Sequence, residues 1–96
     1  MATRLLPIGT VIEIRESEQQ MMIAGFAGIN TEEEPEVIHD YIGFPYPLGF
    51  NTTEGTYYFD NTDIGSVLCV GYQDGEAIQF IGELESKMDE LKASMS

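Results

Sequence analysis

The chain has 96 residues, 43% of them apolar, with five Phe, five Tyr and no Trp; this supports one folded domain with a single aromatic and β-branched core rather than a disordered segment. Seventeen acidic residues against four Lys and Arg give a net charge of -13, whose field repels phosphate backbones and anionic lipid and disfavours nucleic-acid and membrane partners; solubility is the plain reading of this acidity, and attraction to a basic partner the functional one. A single Cys excludes an internal disulfide, one Cys and one His cannot build a zinc site, and no stretch approaches the roughly 18 apolar residues of a membrane span or forms a basic-then-apolar leader, which points to a cytoplasmic protein.

Leu5 to Gly9 is an apolar lead-in with a turn, and Thr10 to Arg15 then alternates, with Ile12 and Ile14 on one face and Glu13 and Arg15 on the other. That is a first strand. Polar turn residues Ser17 to Gln20 lead into the apolar run Met21 to Phe26, which ends in the small residues Ala27 and Gly28 and makes a hairpin the simplest join. Asn30 to Glu36 contains Glu32-Glu33-Glu34-Pro35, a like-charge run with a breaker, and reads as an exposed loop. Alternation returns over Val37 to Phe44 as a third strand, stopped by Pro45 and Pro47, which cannot donate to a ladder.

Asn51 to Gly55 is a further turn, and Thr56-Tyr57-Tyr58-Phe59 an aromatic strand. Asp60-Asn61-Thr62-Asp63 suits a capped turn or one turn of helix, because Asp and Asn accept from free backbone N–H groups. Ser66 to Tyr72 is the most apolar strand in the chain. With Leu68, Val70 and Tyr72 on one side and Val67 and Cys69 on the other, it reads as a strand covered on both faces, with Cys69 a buried thiol and Leu68→Ala costing roughly 2 to 5 kcal/mol.

From Asp74 to Ser96, Ala77, Ile81, Leu84, Met88, Leu91 and Met95 recur at helical spacing, with Asp74 placed as the cap. Ile78 and Phe80 broaden the first half, which is expected to dock on the sheet. Beyond Glu83 the stripe narrows to Leu84, Met88, Leu91 and Met95, a seam suited to a partner helix or to a second copy of the chain.

No constellation for catalysis stands out: His39 is the sole histidine and lies in no nucleophile motif. Asp60, Asp63, Asp74 and Glu76 miss the calcium-loop pattern, since Thr62 and Ile64 occupy positions that need oxygen donors, and the glycines never form a phosphate-cradling pattern. Neither a metal nor an organic cofactor is expected. Tyr46 and Phe50 flank a turn and are hard to bury in a domain of this size, so they join the helix seam as candidate partner-binding residues.

Leu5-Leu6-Pro7-Ile8-Gly9-Thr10-Val11, Met21 to Gly25, Asp40-Tyr41-Ile42-Gly43 with Tyr46-Pro47-Leu48-Gly49-Phe50, and Phe59-Asp60-Asn61-Thr62-Asp63-Ile64 followed by Val70-Gly71-Tyr72 form an ordered set over residues 5 to 82. In that order the chain resembles a family of small proteins of Gram-positive bacteria, catalogued as a domain of unknown function and encoded beside LXG-type toxins of the type VII secretion system. Leu48 stands where that family commonly has a glutamate, and Asn30 to Glu36 is a local elaboration. The resemblance implies a cytosolic accessory protein that binds a cognate secreted toxin before export, and it implies no catalytic residues.

The expectation is therefore an α+β fold in a single domain over 1–96: a strongly curved antiparallel sheet of about five strands within 5–73, and an amphipathic helix over 74–96. Its expected function is non-enzymatic, as a chaperone or targeting factor for an LXG toxin, with Tyr46, Phe50, Leu84, Met88, Leu91 and Met95 facing the partner. The alternative is an acidic immunity protein that occludes a toxin's active site.

Overall fold

The computed structural model describes residues 5–29, 37–50 and 55–95, with Met95 described for its backbone alone. Five strands, β1 (Val11–Ile14), β2 (Gln20–Ile29), β3 (Ile38–Pro45), β4 (Tyr57–Phe59) and β5 (Ile64–Cys69), precede one helix, α1 (Gly75–Met95). The strands form one antiparallel sheet in the order β4-β3-β2-β1-β5. The α+β class is as expected. The acidic run at 30–36 and most of the turn at 51–55 lie outside the described residues.

The curvature follows from a length argument. β4 and β5 are the two edges of the sheet, yet only Asp60 and a 3-10 helix, Asn61–Asp63, separate them in sequence. Four gaps of ~4.8 Å put the edges of a flat five-stranded sheet about 19 Å apart, whereas this link, compacted by its helical turn, reaches about 15 Å at most. The sheet must therefore curl until its edges approach. β2 supplies bends, with a register shift between Ile23 and Gly25 and a left-handed Ala27 at φ 56.

The concave side holds the core: Ile12 and Met21 are cross-strand partners, as are Phe26 and Tyr41, and Tyr41 and Phe59. Tyr41 is fully buried, its ring centroid 5.5 Å from that of Phe59 and 6.1 Å from that of Phe26. Phe59 in turn lies over Gly43, where a Cβ would come within 2.6 Å of its ring. Ile81 and Met88 of α1 close this core together with Leu5, and Leu84 packs against it half-buried. The helix begins as its residues require, with Asp74 Oδ1 accepting from the Ala77 N–H at 2.9 Å.

Three expectations need correction. The apolar strand ending the sheet is not central: β5 is an edge, Leu68 is 49% exposed, and Cys69 is exposed rather than buried. The first half of α1 does not dock broadly, because Ile78 and Phe80 flank the line of half-buried Ala77 and buried Ile81 and are exposed. Nor does the seam leave the domain at Leu84: Met88 is only 3% exposed and belongs to the core. One helix presents one line to a small sheet, so residues about 100° away from it stay in solvent.

Candidate functional site

The polar chemistry of the described residues gathers around the link that joins the two sheet edges. Asp60 Oδ1 accepts from the Asp40 N–H at 2.8 Å, and Asp40 Oδ2 accepts from the Asn61 N–H at 2.9 Å, a reciprocal pair that fixes the link to β3. His39 Nδ1 lies 3.0 Å from Asp60 Oδ2, and the Asp60 N–H donates to Asp63 Oδ2 at 2.9 Å. From the other side, the Arg15 side chain donates to the Thr62 and Ile64 carbonyls, both at 3.1 Å, and its N–H donates to the Asp63 carbonyl at 2.7 Å. Carboxylates accepting backbone N–H groups make charge-assisted bonds, stronger than neutral ones. This cluster staples β3 and β1 to the short link.

Tyr41 extends the staple into the core. Its hydroxyl accepts from the Leu6 N–H at 2.9 Å and donates to Asn61 Oδ1. Burial raises its pKa to about 12, with the nearby charge of Asp40 acting in the same direction and the hydrogen bonds opposing it. The helix joins through Lys92, paired with Asp40, and through Glu85, which accepts from the Leu5 N–H. Between these groups opens a cavity of about 210 Å³ lined by Asp40, Asn61, Glu85, Met88 and Lys92 among others. It is smaller than the roughly 300 to 1,000 Å³ of most small-molecule sites.

His39 and the acidic residues near it therefore join strands. Among the described residues no three His, Cys, Asp or Glu side chains form a metal-binding group, and every buried side-chain N or O atom has a hydrogen-bond partner. No helix among the described residues is long and apolar enough to cross a membrane.

The candidate partner residues are dispersed. Tyr46 and Phe50 are both exposed on the turn after β3, with Leu48 between them, and the Phe50 ring meets Phe44 edge-on at 5.4 Å. Leu84 and Met88 face inward, Leu91 is 49% exposed, and the side chain of Met95 lies outside the described residues. A surface that the sequence reading missed is more continuous. Val67, Leu68, Val70 and Tyr72 are all exposed along β5 and its exit, and Ile8, also exposed, adjoins them through Gly71. The signal was the apolarity of Ser66 to Tyr72 itself, which marks a preference to be covered without saying by what.

Comparison with known proteins bears on the same segments. Residues 5–80 match the family described as Domain of unknown function (DUF4176). No curated protein and no solved structure matches the chain.

Proposed function

The chain belongs to the DUF4176 family, and we propose that it is a non-enzymatic binding protein, a cytosolic chaperone or targeting factor that holds a cognate LXG-type toxin before type VII secretion. The observation that carries a binding role is the uncovered apolar edge: Val67, Leu68, Val70 and Tyr72 remain exposed on a small domain with a net charge of -13. Contiguous exposed apolar residues inside a strongly charged surface are characteristic of a protein-binding site. His39, Asp40 and Asp60 favour binding over catalysis, because their bonds serve to join strands. The toxin partner rests on the family resemblance that the ordered segments of residues 5 to 82 carry. Neither metal nor cofactor enters this reading.

A second reading is an immunity protein, favoured by the same acidity, which would complement a basic active site. Expression with a candidate LXG-type toxin separates the two. A chaperone copurifies with the toxin, and its deletion abolishes toxin export. An immunity protein leaves export intact and protects a recipient cell. Absence of any copurifying toxin, with export unchanged on deletion, overturns the chaperone reading.

A further inference from the structure

We propose that the exposed edge strand β5 and its exit, which leave Val67, Leu68, Val70 and Tyr72 in solvent with Ile8 beside them, are a docking surface for a helix of another protein whose apolar stripe is bordered by lysine or arginine. This deepens the binding reading above by naming the surface and the chemistry of its occupant.

The surface is held firmly. Gly71 packs so closely on the lead-in that a Cβ there would come 2.1 Å from the Ile8 carbonyl oxygen, and its N–H donates to Oγ1 of the buried Thr10 at 3.0 Å. Val70 and Tyr72, on either side of this pinned residue, are thus presented at the surface by a fixed backbone, with Tyr72 84% exposed. Holding apolar side chains in place before binding lowers the ordering cost of association.

Two register shifts decide what kind of occupant fits. β1 pairs Val11 with Cys69 but Ile12 with Val67, and Glu13 with Ser66 but Ile14 with Ile64, so Leu68 and Gly65 are extra residues on β5. Bulges interrupt the regular spacing of N–H and C=O groups that an added strand reads, and sheets use them to deter edge-to-edge pairing. The occupant must therefore engage side chains rather than extend the ladder, as an amphipathic helix does.

Charge decides the occupant's border. Between Arg15 and Lys87 the chain has no lysine or arginine, Arg15 is tied to the Thr62 and Ile64 carbonyls, and the exit of β5 runs into Asp74 and Glu76. A second copy would bring -13 against -13, whereas a lysine- or arginine-bordered helix gains from the same field.

Cys69, the single cysteine, is exposed on this strand, so its alkylation rate reports coverage. The probes are a synthetic helical peptide with a leucine stripe bordered by lysine, the same stripe bordered by glutamate, and an extended peptide alternating valine and lysine. The lysine-bordered helix should slow alkylation about tenfold at a concentration about ten times its Kd. The glutamate-bordered helix should not. Val70→Ser with Tyr72→Ser, both at exposed positions, should remove the protection, while Tyr46→Ser with Leu48→Ser should keep it.

Protection by the extended peptide alone would establish strand addition and overturn the proposal. So would protection that rises with the protein's own concentration alongside a larger species on sizing, which is self-association, or protection by none of the three peptides. With the toxin as ligand, equal capture by wild type and the Val70→Ser, Tyr72→Ser variant overturns this surface and leaves the chaperone reading standing. Failure of wild type to capture any toxin overturns the chaperone reading and leaves the peptide result intact.

Discussion

Tyr41 shows how much one side chain carries, because it is at once the centre of the aromatic core and a member of the polar staple. Its phenol keeps its proton to about pH 12 in the folded chain, against 10.0 for a free phenol. Between these values the unfolded chain has lost a proton that the folded chain retains, so stability is fully present below pH 10 and falls as pH rises through the window, by ~2 to 3 kcal/mol from this residue. Tyr41→Phe should flatten that decline in denaturant titrations between pH 10 and pH 12; an unchanged slope would show that the phenol does not resist ionisation. Asp60 is the second residue of consequence, since Asp60→Ala leaves the Asp40 N–H without this acceptor and removes one contact of His39. We expect a loss of about 2 to 3 kcal/mol. A urea midpoint within error of wild type would mean the staple is not holding the link.

At the scale of elements, α1 and β5 exchange the roles that their patterns suggest. The helix seam turns inward at Met88, so Met88→Ala should cost about 2 to 4 kcal/mol, while Leu91→Ala, half-exposed one turn later, should cost well under half as much. Equal losses would place both residues in the same environment. On β5, Leu68→Ala should change stability by less than about 1 kcal/mol, because half of that side chain is in water in the folded state. A loss near the roughly 3 kcal/mol typical of core leucines would mean that this edge is covered. The segments that mark the family also make sense here as architecture. Asp40-Tyr41 and Asp60-Asn61 form the staple, Gly43 receives the Phe59 ring, and Gly71 rests on Ile8. Such residues specify the fold.

For the whole molecule, net charge is the dominant long-range term. Seventeen acids on so small a domain repel one another in the compact state. Raising NaCl from about 20 mM to about 300 mM shortens the Debye length from about 20 Å to about 6 Å, and the Tm should rise by several degrees. A Tm independent of salt would indicate that the acidic residues are locally compensated. The same field opposes self-association, and affinity for the lysine-bordered helical peptide proposed above should fall as salt rises.

The strand and helix order was legible from local rules: alternation marked β1 and β3, Pro45 and Pro47 marked the end of β3, and Asp74 marked the start of α1. Charge and the missing nucleophile motif were equally plain, because they depend on residue types alone. What the chain order could not reveal was which strand is an edge. Apolarity on both faces of Ser66 to Tyr72 reports a preference to be covered, and it carries no information on whether the cover is the same chain or another. That was decided by the four-residue link from β4, which forces the sheet to curl and delivers β5 beside β1, and by a single helix that can bury only one line of residues. Coverage is a property of what packs where, and so only the tertiary structure left Val67, Leu68, Val70 and Tyr72 in solvent.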